Sequence, residues 1–355
     1  MKEQSSLQVS ALKRWLKRFV PLIFALLKSL NQLWGSPLVY GWRAHCFALK
    51  ERCTGFPAFR QQFLEKNGYE IDLKSPRSFN QKISWLKLRP VTPLQVKAVD
   101  KASAKKLALA WAKEHGLALQ VSRTLAVVSR PSEIPWDSLP SRVVLKATHG
   151  SGSVQFVDRD RGDRSVSLEP LLESWLKYPY GVYKHEWVYW PVRRRLLVEE
   201  WLDADRASGL VDYKFHMSCG RCLAIQVNEG FQSGERLRSI LTPDWQPHDV
   251  FWIYPRPVSV PQCPPNLAEM LKIAQAFSRN FSYIRIDLYT LPRRDGAFDI
   301  YFGEFTFFPA SGCVEMRPRS FDFWLGDKIM LRELSRFLCL NSAACAMNFL
   351  LSFFG

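Results

Sequence analysis

Between residues 284 and 312 the sequence IRIDLYTLPRRDGAFDIYFGEFTFFPASG places acids where two strands would share a face. Side chains alternate along a strand, so Arg285, Asp287 and Tyr289 point one way while Ile284, Ile286 and Leu288 point to a core. Residues 301–307, YFGEFTF, repeat the alternation and put Glu304 beside Thr306. The intervening PRRDG at 292–296 has turn chemistry, so an antiparallel hairpin would bring Asp287 and Glu304 close enough to share a cation. Two carboxylates at the mouth of an apolar sheet suit Mg²⁺, which takes hard oxygen ligands and leaves positions for phosphate. Two acids on a solvated strand would have the same spacing, and alternation alone leaves both readings open.

A second chemical stretch lies upstream, at residues 142–157, RVVLKATHGSGSVQFV. It reads as an apolar strand ending in Lys146, a small Gly-rich turn, and another strand. Such a turn lets backbone N–H groups approach phosphate oxygens while the lysine supplies a point charge. It is not a Walker loop, whose lysine follows the glycines and precedes a helix. A Gly-Ser hairpin with a surface lysine would look the same, and His149 reads as a loop residue rather than a ligand. The run Arg193, Arg194, Arg195 either steers an anionic ligand or is a solvated face. Cys219 and Cys222 have ligand-like spacing, but no second pair accompanies them. They read as flanks of a hairpin turn at Gly220–Arg221 rather than as zinc ligands.

The elements that must position these residues follow from periodicity. SFNQKISWLKL at 78–88 carries a helix-start signal and helical apolar spacing. Residues 102–115 form a helix closed by Gly116 in the C-cap position, and 118–128 a strand. Residues 168–184 read as one helix, a lid insertion, and 266–281 as the helix that delivers the chain to the acid-bearing hairpin. Asp212, Lys214 and His216 share one strand face.

At 355 residues and 47% hydrophobic content, the chain can bury a large core as two or three subdomains. Its net charge of +16 is uneven, because residues 1–60 hold ten Lys or Arg against Glu3 and Glu51. That favours a polyanion or an anionic lipid surface without choosing between them. The basic, apolar stretch 11–34 reads as an amphipathic helix on a membrane surface or as a helix packed on the domain, and its longest charge-free core is too short to span a bilayer. No small-residue cleavage site follows Leu27, which argues against a cleaved signal peptide. The uncharged tail 337–355 suits packing or surface contact better than a crossing. No disulfide framework is legible, which places the chain in a reducing cytoplasm, peripherally at the inner face of the plasma membrane if the basic helix binds lipid. Nucleic acid is ranked below these partners, since no aromatic stacking motif accompanies the basic clusters.

Taken together, SFNQKISWLKL, the Asp100–Lys101 pair, VVLKATHGSGS, VEEWL at 198–202, DYKF at 212–215, RIDLY at 285–289 and YFGEFTFFPASG at 301–312 resemble the TupA-like (teichuronopeptide biosynthesis) branch of the ATP-grasp proteins. The resemblance covers about residues 56–330. It implies an α+β protein of ATP-grasp fold, with nucleotide held between two α+β subdomains with antiparallel sheets and a helical region at the N-terminus. The corresponding segments are 1–55, a basic amphipathic segment; 56–141, a helical α/β subdomain; 142–203, the lid; 204–330, the metal and nucleotide subdomain; and 331–355, an apolar helix.

Carried over by residue, the resemblance implies that Lys146 contacts the phosphates of ATP under a flexible cover formed by the loop after His149, namely Gly150, Ser151, Gly152 and Ser153. Glu199, Glu200, Trp201 and Leu202 would form the hinge that holds adenine and ribose, and Lys214 a second phosphate contact. Asp287, Glu304 and Thr306 would hold Mg²⁺, with Arg285 beside the transferred phosphoryl. The chain departs from the wider superfamily at Thr306, where an asparagine is usual, and from this branch at Lys105, where an arginine is expected. The implied reaction is ATP-dependent joining of a carboxylate, such as a sugar acid or glycan, to an amine, such as an amino acid, in surface-polysaccharide synthesis. A glycan kinase of the same fold and a non-catalytic membrane-surface accessory protein are the alternatives.

Overall fold

A computed structural model describes residues 37–162, 165–177, 180–202, 210–229 and 236–332. The expectations for 11–34 and 337–355 lie outside the described residues. Among those described, no helix is long and apolar enough to cross a membrane. The chain divides into two compact units, residues 1–59 with 331–355 and residues 60–330. In the first, the helix α1 (Pro37–Thr54) ends with the Thr54 hydroxyl donating to the Lys50 carbonyl at 2.7 Å. There the Glu51 carboxylate accepts from the amides of Ala58 and Phe59 at 3.2 and 3.0 Å, satisfying donors that a helix start leaves without partners.

The remaining helices are α2 (Pro57–Asn67), α3 (Phe79–Lys87), α4 (Pro93–Val99), α5 (Lys101–Glu114), α6 (Ser165–Lys177), α7 (Leu267–Ser278) and α8 (Arg319–Asp327). The strands are β1 (Gln120–Val121), β2 (Thr124–Val128), β3 (Arg142–Ala147), β4 (Val154–Asp158), β5 (Leu196–Glu200), β6 (Asp212–Ser218), β7 (Arg221–Glu229), β8 (Leu237–Leu241), β9 (Phe251–Trp252), β10 (Ile284–Pro292), β11 (Phe298–Thr306) and β12 (Met316–Arg317). They form a six-stranded sheet in the order β1-β11-β10-β6-β7-β8, a four-stranded sheet in the order β2-β5-β3-β4, and the pair β12-β9. Every pairing in the two larger sheets is antiparallel except β1 with β11.

Alternation assigns each sheet one apolar and one chemical face. In the four-stranded sheet Val143, Leu145, Val157, Leu196 and Val198 pack against Ile134, Leu139 and Leu172. The intervening positions, Lys146 on β3 and Glu199 on β5, therefore emerge on the other face. In the larger sheet Phe215, Met217, Ile284, Ile286 and Leu288 are fully buried, as are Met270, Ile273 and Ala274 of α7, which packs on β6, β7 and β10. Lys214, Arg285 and Asp287 consequently face the opposite side.

Three sequence expectations shift. The strand 118–128 is two strands in different sheets, because Lys105 Nζ takes the Ser122 carbonyl at 2.7 Å and diverts it from a ladder. The predicted helix 168–184 ends at Lys177, and Val182–Lys184 form a separate single turn. Pro179 explains the stop, since it lacks an N–H and disfavours helix at the residue before it. The β6–β7 turn is Cys219–Gly220 rather than Gly220–Arg221, both residues having positive φ, and its two cysteines are free thiols.

The polar residues of α3 organise the segment after β11. Ser78 caps the helix through a capping box with Gln81. On its far side, Ala310, Ser311 and Gly312 of the turn Pro309–Gly312 all adopt left-handed φ of 50, 58 and 60°. Lys87 Nζ donates to the Ser311 carbonyl at 2.7 Å and hydroxyl at 2.9 Å, and the Ser84 hydroxyl and Asn67 side chain each donate to the Gly312 carbonyl at 3.3 Å. A Cβ at Gly312 would lie 2.8 Å from Ser84 Oγ and 3.0 Å from the Asn80 carbonyl, so the close approach needs glycine. Two non-glycine residues held in this conformation store strain that the buried lysine offsets. Lys87→Met is expected to destabilise the protein by about 2 kcal/mol, the cost of buried acceptors left without a donor, visible as a lower urea midpoint at unchanged slope.

Candidate functional site

Two charged groups emerge from the two chemical faces. On the four-stranded sheet, Glu199 is 2% exposed and lies between two lysines. Lys146 Nζ sits 2.5 Å from its Oε2, and Lys105, from α5, pairs with Oε1. Burial works against ionisation of Glu199, but Lys146 and Lys105 outweigh it and hold its pKa below the usual carboxylate range. Burial likewise lowers the Lys105 pKa, with Glu199 acting in the opposite direction. Lys105, the one departure expected near the helix start, thus works here as a buried counter-charge.

The second group occupies two rungs of the larger sheet that share a face, with the apolar rung of Phe215, Ile286 and Phe305 between them. Register aligns Lys214, Asp287 and Glu304 in one rung and His216, Arg285 and Thr306 in the other. Arg285 Nη2 donates to Asp287 Oδ2 at 2.6 Å and to Glu304 Oε1 and Thr306 Oγ1 at 3.0 Å each, while its Nε donates to Asp287 Oδ1 at 2.7 Å. Three oxygens expected to bind metal therefore converge within hydrogen-bond reach of a single cationic nitrogen. Lys214 Nζ donates to Asp287 Oδ2 at 2.6 Å and also pairs with Asp212. Asp287 is fully buried; burial opposes its charge, but Arg285 and Lys214 keep its pKa below the ordinary aspartate range. The donor set is hard oxygen, arranged about a point already occupied by positive charge, which fits Mg²⁺ in kind. Among the described residues no group of three His, Cys, Asp or Glu could hold a metal ion.

The helix α5 packs on β11 and carries Lys105, so it adjoins both groups. Burial raises the pKa of the Tyr289 phenol, and the charges of Asp212, Asp287, Glu304 and Glu199 act in the same direction. Lys101, the first residue of α5, feels Glu304, Lys146 and Glu199, and its ammonium donates to the Gly150 carbonyl. Lys101 and Lys105 were not singled out as site residues from the sequence. The available signal was a lysine on the buried stripe of α5, where Ala104, Lys105, Leu107 and Ala108 all point inward.

The Gly-rich loop runs over the first group. Ala147 donates its amide to the Ser153 carbonyl at 3.1 Å, and Val154 to the Gly152 carbonyl at 3.1 Å. Gly150 has φ of +87°, and a Cβ there would meet the Tyr180 ring at 2.4 Å, so the ring packs against backbone that only glycine can offer. Tyr180 and Ser151 line one cavity. His149 is buried, with Nε2 3.1 Å from the Trp175 carbonyl, an anchor of the loop to α6. In the expected hinge, Glu200 accepts from the Arg123 amide at 2.5 Å, Trp201 packs on Phe156 with ring centroids 5.0 Å apart, and Leu202 is half-buried at the strand end. These residues follow Glu199 at the C-terminal end of β5, an interior strand of its sheet.

A lysine-bearing strand and glycine loop on one antiparallel sheet, with an acid-bearing hairpin on another, is the arrangement of the ATP-grasp fold. The chain belongs to the TupA-like ATP-grasp family, which matches it over residues 81–330. No curated protein sequence matches it. Among solved structures it is similar to the ATP-grasp ligase PsnB in complex with a precursor variant, Mg and ADP, at 10% identity and TM-score 0.32, covering 61% of this chain and 52% of that one. It is similar to the D-alanine–D-alanine ligase of Bacillus anthracis complexed with ATP, at 15% identity and TM-score 0.31, covering 59% and 54%. It is also similar to the D-alanine–D-alanine ligase of Helicobacter pylori, at 13% identity and TM-score 0.37, covering 71% and 67%. The chain thus spans about half the length of the first two.

Proposed function

We propose that the protein is an ATP- and Mg²⁺-dependent carboxylate–amine ligase acting through an acyl phosphate, and that it joins an amino acid to a surface polysaccharide or its precursor. The supporting observation is the convergence of Asp287, Glu304 and Thr306 oxygens on Arg285 Nη2, together with the Lys146–Glu199–Lys105 group. Bound Mg²⁺ would screen the phosphate oxygens and so lower the barrier to phosphoryl transfer. Asp287, Glu304 and Thr306 would hold it, and Arg285, giving up that point, would offset charge on the transferred group. Lys146, Lys214 and the backbone of Gly150–Ser153 would bind phosphates, with Lys101 holding the loop. Glu199, neutralised on both sides, would fix Lys146 in place, and the Glu200–Leu202 segment would receive the adenine and ribose. In the reaction, a substrate carboxylate oxygen attacks the γ-phosphorus and ADP leaves; the amine then attacks the acyl carbon and phosphate leaves. The excess of Lys and Arg in residues 1–60 supports residence at the inner membrane surface, where an acidic glycan precursor would be met.

The proposal is tested by intact-mass analysis of products from MgATP incubations with sugar acids and amino acids. A gain of one amino-acid residue supports it, whereas a gain of one phosphate makes the protein a kinase. Thr306→Val keeps the shape and removes the hydroxyl oxygen. It is expected to raise the Mg²⁺ concentration needed for half-maximal activity by about tenfold, and Thr306→Asn to restore it. An unchanged Mg²⁺ titration in Thr306→Val would remove Thr306 from the metal set.

A further inference from the structure

Beside the phosphoryl end lies a cavity of about 380 Å³, room for a sugar- or amino-acid-sized molecule. Arg285 and Thr306 form part of its wall, so it opens directly onto the second charged group. Elsewhere the wall includes Glu186, Lys184, Lys66 and Ser311 with the aromatic rings of Tyr180 and Tyr189. None of these six belongs to the nucleotide and metal set above.

Glu186 is 5% exposed, an unusual place for a carboxylate unless it has work to do or close partners. It lies in the same wall as Ser311, the strained left-handed residue fixed by the Lys87 ammonium at 2.7 and 2.9 Å, and Ser311 acts on its carboxyl. The chain Lys87–Ser311–Glu186 thus runs from the rigid helix α3, through the turn after β11, to a carboxylate in the cavity wall. Burial raises the Glu186 pKa, with Lys87, Ser311 and Lys184 acting the other way, which makes it a better proton acceptor than a free carboxylate. Tyr189 lines the same cavity, and burial raises the pKa of its phenol, with Glu186 and Glu304 acting in the same direction. Lys66 and Lys184 add exposed ammonium groups to the same wall.

We propose that this cavity receives the amine substrate, that Glu186 is the group that accepts its proton, and that Lys184 and Lys66 select an amine carrying its own anionic group. The inference rests on the ligase reading. As the amine nitrogen attacks, the C–N bond forms and the acyl C–O bond to phosphate breaks, with the electron pair leaving on the phosphate oxygen. The nitrogen's proton passes to Glu186 and from there to the departing phosphate, so charge and atoms balance. Ser311, held by Lys87, is a positioning residue that keeps the carboxylate aimed at the cavity. The fitting substrates are α-amino acids or amino sugar acids, not neutral amines.

Hydroxylamine separates the two half-reactions, because it is mostly unprotonated near neutral pH, carries no anionic group, and traps an acyl phosphate as a hydroxamate. The full-length protein with MgATP and a panel of sugar acids is offered either hydroxylamine or amino acids. Glu186→Gln is expected to form hydroxamate at close to the wild-type rate and to lose amide formation by on the order of 100-fold. Lys184→Gln is expected to raise KM for the amino acid about tenfold and to leave hydroxamate formation unchanged. Equal amide formation by wild type and Glu186→Gln, or parallel loss of amide and hydroxamate, overturns the role of Glu186 while leaving the ligase reading standing. An unchanged KM in Lys184→Gln overturns the anion selection. Absence of hydroxamate from the wild-type protein with every acid tested overturns the ligase reading itself. Should Glu186→Gln melt below the assay temperature, Glu186→Met, which removes the carboxylate without burying a new polar group, carries the same comparison, with the same two ratios deciding.

Discussion

Glu304→Gln is expected to lower ATP-dependent phosphate release by on the order of 100-fold or more while leaving the protein folded. The Glu304 side chain is 34% exposed, so its removal opens no cavity, and an amide of the same shape can still accept from Arg285 and Thr306. What the amide lacks is the charge that, with Asp287, would hold Mg²⁺ near the transferred group. The loss should appear in the rate with substrate saturating, and the thermal midpoint should stay within a degree or two of wild type. Wild-type turnover in Glu304→Gln would place the metal elsewhere and leave the two-carboxylate account without support.

Asp287→Asn carries the second large effect, and it falls on stability as well as activity. Arg285 donates to both oxygens of this fully buried carboxylate, and Lys214 donates to one of them. Removing the negative charge leaves two buried cations with Asp212 and Glu304 as their nearest remaining acids. Breaking a buried ion pair on one side costs about 3–5 kcal/mol, because the uncompensated partner stays buried. Urea unfolding of Asp287→Asn should therefore show a large fall in midpoint, and MgATP should no longer raise it. In the wild-type protein, folding lowers the Asp287 pKa. Its stabilisation is complete above about pH 4, the ordinary aspartate range, and is lost as the pH falls through the lowered value. Asp287→Asn should flatten that part of the acid-unfolding curve.

Much of the site was legible because strand alternation is strict. Reading Arg285, Asp287, Glu304 and Thr306 as one face needed only a period of two and a turn at 292–296, and the register pairs Asp287 with Glu304. Lys146 before the glycine loop was visible for the same reason. Its partnership with Glu199 and Lys105 was not, since three elements distant in sequence must pack before those charges meet. Glu186 and Lys87 were invisible for a related reason. A lysine at the end of an amphipathic helix normally reads as solvated, and only the left-handed turn at 310–312 shows where this one goes. The longer helix expected at 168–184 overlooked the restriction that Pro179 places on its predecessor. The single strand expected at 118–128 overlooked a side-chain donor competing for one carbonyl.

The central claim is that a substrate carboxylate attacks phosphorus at the Arg285–Thr306 end of the site and is then released to an amine. The most direct measurement supplies the acid with heavy oxygen in its carboxylate and follows the label through a complete turnover with MgATP and an amino acid. An acyl phosphate predicts one labelled oxygen in the released inorganic phosphate and one retained in the amide. Unlabelled phosphate, with both heavy oxygens remaining on the acid, would contradict the account.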